Sequence, residues 1–351
     1  MTRNLRLATY NVEWFTELFD DNGAFLNDDT LSIRYNVSRA QQFAAIGAVL
    51  SALDADAVMI IEGPDQSETR SAARALENFA AHFKLRARRA LVGFTSNTRQ
   101  EIVLIYDPDV MSVRHDPMGD ADKTSAAPRF DFEYLYDLNG DGVAENIGFS
   151  KPPLEVLAEI HDGPDLRLIG VHAKSKAPRA TRNKAEFVAQ SIQNRRKQLA
   201  ECFWLRGRVA QILVQGLPLI VLGDFNDGPG LDEYERQFGY SSVEVVMGAS
   251  NPDQAQLFDP HGAKIAAPWG DIAPTTSRFY LPELKGYFEA LLDFIMVSPS
   301  IAAAAPTWRI WHPLHDAEIA ANSVLAAALL TASDHFPVSI DINLPLAPPV
   351  P

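Results

Sequence analysis

Apolar positions along the chain fall into two rhythms. Leu5 to Tyr10, Val58 to Ile61, Ile102 to Ile105, Leu154 to Ile160, Leu166 to Val171, Leu219 to Leu222 and Phe294 to Val297 are continuous or alternating apolar runs of about strand length, flanked by polar or Gly/Pro signals. Helical spacing appears elsewhere. Ser38 is an N-cap for Phe43, Ile46, Leu50 and Leu53, which recur every three or four residues. Ser67 precedes Ala72, Leu76, Phe79 and Phe83 in the same way, and a longer helix fits Asn183 to Val214, ending before Gly216 and Pro218. Short buried strands alternating with helices predict an α/β protein. No repeat, low-complexity tract or linker divides it, so one domain is expected over residues 1–343, with a Pro-rich tail at 344–351. Periodicity leaves open whether the strands form one sheet or two.

Composition adds limits. With 47% hydrophobic and 22% charged residues, the 351-residue chain has ample material for a core. No apolar run is long enough to span a bilayer, and no apolar segment precedes the first strand, so neither membrane anchoring nor a signal peptide is expected, and the expected location is cytoplasmic. The single Cys202 excludes an internal disulfide and fits a reducing compartment. A net charge of −14 argues against tight, non-specific wrapping of nucleic acid, although a local basic patch can still engage a few phosphates.

The candidate chemistry lies at strand ends. Asn11 and Glu13, in Tyr10-Asn11-Val12-Glu13-Trp14, are two apart and share a face. Glu62 follows four buried apolar residues and needs a partner, either a metal or a buried arginine. Glu101 enters a strand, where exposure is its ordinary state. His172 ends an apolar strand and is followed by Lys174, Lys176, Arg179, Arg182 and Lys184, with no acid until Glu186; in so acidic a chain this is a phosphate-facing patch, or else a solvated loop and helix start. In Gly223-Asp224-Phe225-Asn226-Asp227-Gly228, a turn accounts for the last three residues but not for Asp224, which with Asn226 suits the orientation of a nucleophile. Asp334-His335 pairs a carboxylate with an imidazole, and Asp293 is a natural partner to fix that ring. No Ser-His-Asp elbow, zinc spacing, Walker loop or dinucleotide fingerprint is present. Asp, Glu, Asn and His are the tools of hard-metal phosphoester chemistry.

Taken in order, Tyr10-Asn11-Val12-Glu13, Ile61-Glu62, Val171-His172, Gly223-Asp224-Phe225-Asn226, Leu292 to Ser298 and Ser333 to Val338 resemble the endonuclease/exonuclease/phosphatase superfamily, the deoxyribonuclease I-like fold. The resemblance implies a four-layer αββα sandwich of two mostly antiparallel sheets with helices on both outer faces. It implies Mg²⁺, with Mn²⁺ able to substitute, held by Glu62 with Asn11 and Asp334 close by and Glu13 as a second acidic contact. Asp224 and Asn226 would position water and phosphate, Asp293 would pair with His335, and His172 would face the phosphate from the other side. Members like pancreatic deoxyribonuclease support that second histidine with a glutamate, and Glu101 stands at its place. Where family members often carry Gln before the metal-binding Glu, this chain has Ile61.

The activity so implied is a metal-dependent phosphodiesterase, with nucleic acid, DNA foremost, as substrate and no obligate protein partner. Two alternatives stay open: a phosphodiesterase or phosphatase for a small or lipid phosphoester, and a catalytically silent binding module. Asp137, Asn139 and Asp141 resemble the start of a calcium loop without its twelfth-position Glu; an Asn-Gly/Asp-Gly hairpin turn accounts for the same residues, so structural Ca²⁺ is one of two readings.

Overall fold

The computed structural model describes residues 2–178, 183–228, 239–249, 255–262, 273–281 and 285–345. In chain order the strands are β1 (Thr2–Asn11), β2 (Ala57–Gly63), β3 (Arg89–Val92), β4 (Glu101–Tyr106), β5 (Met111–His115), β6 (Tyr134–Tyr136), β7 (Glu145–Ile147), β8 (Leu154–Ile160), β9 (Asp165–His172), β10 (Leu219–Asp224), β11 (Ser277–Leu281), β12 (Gly286–Ala290), β13 (Asp293–Val297), β14 (Thr307–Ile310) and β15 (Val338–Pro345). The helices are α1 (Arg39–Leu53), α2 (Ala72–Phe83), α3 (Lys184–Val214), α4 (Ser242–Met247), α5 (Pro299–Ala302), α6 (Ala317–Ala321) and α7 (Ser323–Ala332).

One sheet has the order β14-β15-β1-β2-β4-β3 and the other β13-β10-β9-β8-β5; β6–β7 and β11–β12 are separate hairpins. Within the two sheets only β1–β2 and β9–β10 pair in parallel. The apolar runs are continuous because each central strand is covered on both faces. In β2, Val58 and Ile60 pack under Phe43, Ile46, Leu76 and Phe79 of α1 and α2, while Met59 and Ile61 face the other sheet. In β9, Leu168 faces the inter-sheet core, whereas Ile169 and Val171 meet Leu205, Val209 and Ile212 of α3. The result is four layers, helices, sheet, sheet and helices, as the resemblance implied. At Gly170 the sheets come so close that a Cβ would sit 2.5 Å from Met59 Sδ.

Local capping follows the sequence with one correction. Ser38 and Asn183 cap α1 and α3 as expected. The second helix is capped by Ser71 rather than Ser67, since Ser67 Oγ accepts the Arg70 amide in a turn before the helix. Leu344 and Pro345, assigned to a tail on composition, lie in β15 opposite Arg3 and Thr2. No helix among the described residues is long and apolar enough to cross a membrane.

Candidate active site

Strand register brings the acidic and imidazole groups together. Asp224 ends β10 directly opposite His172 on β9 and Asp293 on β13, so three polar side chains stand in one row across that sheet. From the facing sheet, Asn11 at the end of β1 donates from Nδ2 to Asp224 Oδ2 at 3.0 Å. Glu62 lies in an irregularity of β2, between Ile60 and Gly63, with φ of +60°. Glu13, Trp14 and Asn226 are also left-handed, at φ of +39°, +58° and +51°. Four of the eleven left-handed non-glycine residues among those described thus belong to this site.

Asp224 is buried. Its Oδ1 accepts the Asn226 amide at 2.7 Å, and Asn226 Nδ2 bridges Asp224 Oδ2 at 3.2 Å and the Ala173 carbonyl at 3.1 Å. Burial pushes the Asp224 carboxyl up to about 7, with His335 working against the rise. His335 Nδ1 lies 2.8 Å from Asp293 Oδ2, and its Nε2 is 4.0 Å from Asp224 Oδ2. Burial opposes charge on this ring, but Asp293 and Asp224 outweigh it and hold its pKa well above the usual histidine value. His172 goes the other way: burial, then Lys151 and His335, drive it well below, so it is neutral. Its Nε2 is 3.0 Å from Lys151 Nζ, 3.7 Å from Asp224 Oδ2 and 3.9 Å from Glu62 Oε1. Because an ammonium only donates, His172 Nε2 accepts and the ring proton sits on Nδ1, which has no partner among the described residues.

The Trp14 amide at 3.0 Å and Gln100 Nε2 at 2.6 Å both donate to Glu62 Oε2, and among the described residues none donates to Oε1. The Asp334 carboxylate makes none among the described residues. Glu13 differs: its Oε2 is held by Arg34 Nη1 at 2.5 Å and by the Asp334 amide at 3.2 Å.

Several expectations change. Glu101 is buried rather than exposed, but it does not support His172. Its carboxylate accepts the Ser96 amide at 2.9 Å and the Gln66 amide at 3.4 Å, and burial raises it to about 7. The partner of His172 is Lys151 instead. In the basic run, Lys176 is half-buried and donates to Asp227 at 2.9 Å, Lys174 is half-buried with its amide on Glu201, and Lys184 is exposed at the start of α3. Arg179 and Arg182 lie outside the described residues. The oxygens of Asp137, Asn139 and Asp141 accept the amides of Gly140, Gly142, Asp141 and Val143 in the loop of the β6–β7 hairpin, as a turn requires.

Sequence reasoning missed Lys151, Arg34, Thr276 and Glu201. Thr276 Oγ1 donates to Asp293 Oδ2 at 2.8 Å, and Glu201, buried in α3, is raised to about 7 by burial, with Lys197, Lys174 and Lys151 opposing. None carries a local signal. Lys151 merely precedes two prolines before β8.

A second group, Glu289, His312 and His315, brings donor atoms within 4.8 Å of one another. The two rings stack 3.8 Å apart at an interplanar angle of 3°. With the two ring planes parallel and apart, no single ion can lie in the plane of both, as in-plane ligation by each ring requires. His312 Nδ1 also accepts the amides of Leu314 and His315, both at 3.1 Å, which leaves the proton on Nε2.

The model of the Endonuclease/Exonuclease/phosphatase family matches residues 8–335. Among solved structures, the chain is similar to truncated TDP2 of Caenorhabditis elegans, at 13% sequence identity and a TM-score of 0.50, covering 97% of this chain and 98% of that one. It is also similar to ANGEL2, described as a 2′,3′-cyclic phosphatase in complex with adenosine-2′,3′-vanadate, at 12% identity and a TM-score of 0.50, covering 98% and 96%. At these identities the likeness is one of fold. No curated protein matches the sequence.

Proposed function

The chain belongs to the endonuclease/exonuclease/phosphatase family, a phosphoesterase family, and from that premise we propose that it is a Mg²⁺-dependent phosphodiesterase acting on nucleic acid, DNA foremost. The observation that carries this is Asp224, a buried carboxyl raised to about 7 and standing between a charged and a neutral histidine.

A divalent cation fits the donor set. Glu62 Oε1 and the Asp334 carboxylate are hard oxygen donors without hydrogen bonds among the described residues, each one position from a residue that meets Asn11, Ile61 in the strand ladder and Ser333 by a hydrogen bond, in a site where carboxylates outnumber cations. When bound, the ion would neutralise charge on the phosphoryl oxygens. The protein's own groups divide the remaining work. Asp224, poised near neutrality and oriented by Asn11 and Asn226, takes the proton of the attacking water as the new P–O bond forms and the old one breaks. His335, held charged by Asp293, stabilises negative charge on the phosphate. His172 is neutral, so on its side the positive charge comes from Lys151.

Substrate class is supported by the surroundings. Asp224 lies between two cavities, one lined by Trp14, Gln100, Lys151, His172 and Lys174 and the other by Lys176, Asn226, Phe279 and Phe288. A polymer crossing the site could place a flank in each, combining a few cations with aromatic faces, which suits a protein of charge −14. The net charge itself favours the second reading, a small phosphodiester. The test is turnover of plasmid, single-stranded oligonucleotide and bis-p-nitrophenyl phosphate with Mg²⁺ and with chelator. Metal-dependent cleavage of nucleic acid is expected. Turnover of the small diester alone would replace nuclease by small-molecule phosphodiesterase, and no turnover of any phosphoester would leave a silent binding module.

A further inference from the structure

Residues 26–38 form a strap outside the sheets, tied back by the Asp28–Arg39 pair at 2.7 Å, the Leu31–Ser38 bridge and the Ser32 amide on the Val37 carbonyl. Along it, side chains alternate. Leu31, Ile33 and Tyr35 are exposed, whereas Ser32 and Arg34 turn inward. Arg34 reaches the site from the outside: Nη1 lies 2.5 Å from Glu13 Oε2, and Nη2 donates to the Leu330 carbonyl at 2.7 Å near the end of α7.

Glu13 is clamped from several directions. Its amide donates to Asn11 Oδ1 at 3.1 Å, its carbonyl accepts Gln42 Nε2 at 3.3 Å, and its Oε2 also accepts the Asp334 amide. Burial and Asp334 both oppose its charge, while Arg34 favours it. Glu13 thus lies between the two other acids, since the next amide, that of Trp14, donates to Glu62 and its own carboxylate accepts the Asp334 amide, yet among the described residues the Asp334 carboxylate has no hydrogen bond and that of Glu13 has two.

We propose that Arg34 is a positioning residue that withholds Glu13 from the divalent ion, so that the ion is held through Glu62 and Asp334 with Asn11 and no third carboxylate. The inference rests on the metal-dependent reading above and corrects the expectation that Glu13 contacts the metal. Physically, Arg34 is an internal cation occupying the carboxylate a metal would otherwise attract. Removing it takes away a positive charge near the ion and releases an anionic oxygen. Both changes tighten cation binding.

The experiment is Mn²⁺ binding to the intact protein, by calorimetry and by the electron paramagnetic resonance of free Mn²⁺, for wild type, Arg34→Ala, Glu13→Gln and the double variant. Arg34→Ala is expected to bind Mn²⁺ more than about tenfold tighter, about tenfold being the scale of one nearby unit charge at an intermediate effective dielectric and the released carboxylate adding to it. Glu13→Gln leaves Arg34 as an unpaired cation and should weaken Mn²⁺ binding, and in its background the Arg34→Ala effect should shrink, because only the charge change remains and no carboxylate is released. Arg34→Gln, which can still donate to the Leu330 carbonyl, serves if the alanine variant does not fold. Unchanged or weaker Mn²⁺ binding in the folded Arg34 variants overturns the proposal, as does an equal effect in the Glu13→Gln background or a loss of affinity in Glu13→Gln that adding Arg34→Ala does not restore. Absence of Mn²⁺ binding in the wild type would instead bring down the metal-dependent reading, and this inference with it.

Discussion

His335 Nδ1 and Asp293 Oδ2 are 2.8 Å apart, and the same carboxylate oxygen accepts the Thr276 hydroxyl at 2.8 Å, so the acid is fixed by one neighbour and fixes the other. With Asp224 facing the far ring nitrogen, the imidazole sits between two carboxylates. Asp293→Asn keeps the shape and removes one charge. It is expected to lower kcat/KM on the order of a hundredfold at neutral pH. The sign of the accompanying pH effect is fixed. A raised histidine pKa contributes stability that is fully present below the unfolded value, about 6.5, and lost as pH rises through the folded value. Wild-type Tm should therefore fall on the alkaline side of neutrality, and Asp293→Asn should weaken that fall. A Tm–pH profile of both proteins checks it.

Lys151 lies against the uncharged His172, where burial lowers its pKa and Glu62, Asp224 and Glu201 work to keep it charged. Lys151→Met should reduce kcat/KM on the order of a hundredfold, the scale of removing one preorganised electrostatic contact. Circular dichroism should show the fold retained. If activity survives with little change, the phosphate does not approach from the His172 side.

Glu101 provides the contrast. Its oxygens serve the Ser96 and Gln66 amides, with His172 untouched, so Glu101→Gln should leave activity within a few-fold of wild type. In the wild type, a buried acid raised to about 7 costs stability progressively as pH rises from the ordinary glutamate value of about 4.3 to about 7. The variant should accordingly gain on wild type across that window in urea titrations and hold a constant difference above it.

Gly223 precedes Asp224 in β10 at φ of +146°, and a Cβ there would fall 2.0 Å from the Val171 carbonyl oxygen. Gly223→Ala must break the parallel β9–β10 ladder where His172 and Asp224 meet. A loss of roughly 3 kcal/mol or more is expected from equilibrium unfolding, since neither the backbone angle nor the contact can be relieved by a rotamer.

The parts legible from sequence were those whose surroundings are set locally. β2, β4, β8, β9, β10 and β13 are buried on both faces and wrote themselves as apolar runs, whereas β3 and β14 are short, half-covered edges without one. Asn11, Asp224, Asp293 and His335 were readable because each polar residue adjoins a buried run. Contacts set by the aim of a side chain were not. Glu101 occupies the expected strand, yet its carboxylate turns to two loop amides, and Lys151, 21 residues from His172, takes the place assigned to it. Arg34 enters from a strap whose alternation turns the apolar Leu31, Ile33 and Tyr35 outward, the reverse of a core strand, so its link to Glu13 exists only after folding.

The pairing of β1 with β15 places Asn11, from the first strand, near Asp334 and His335, beside the last. The central sheet therefore closes across more than 300 residues, a non-local contact of the kind that slows folding. During translation, the segment that carries Asn11 leaves the ribosome long before its neighbour strand exists. Nascent chains that stop before Asp334 would expose an unpaired β1 edge and lack both Asp334 and His335. Hydrolytic capacity would then arrive only as the end of the chain is made, and a partly made copy would lack it.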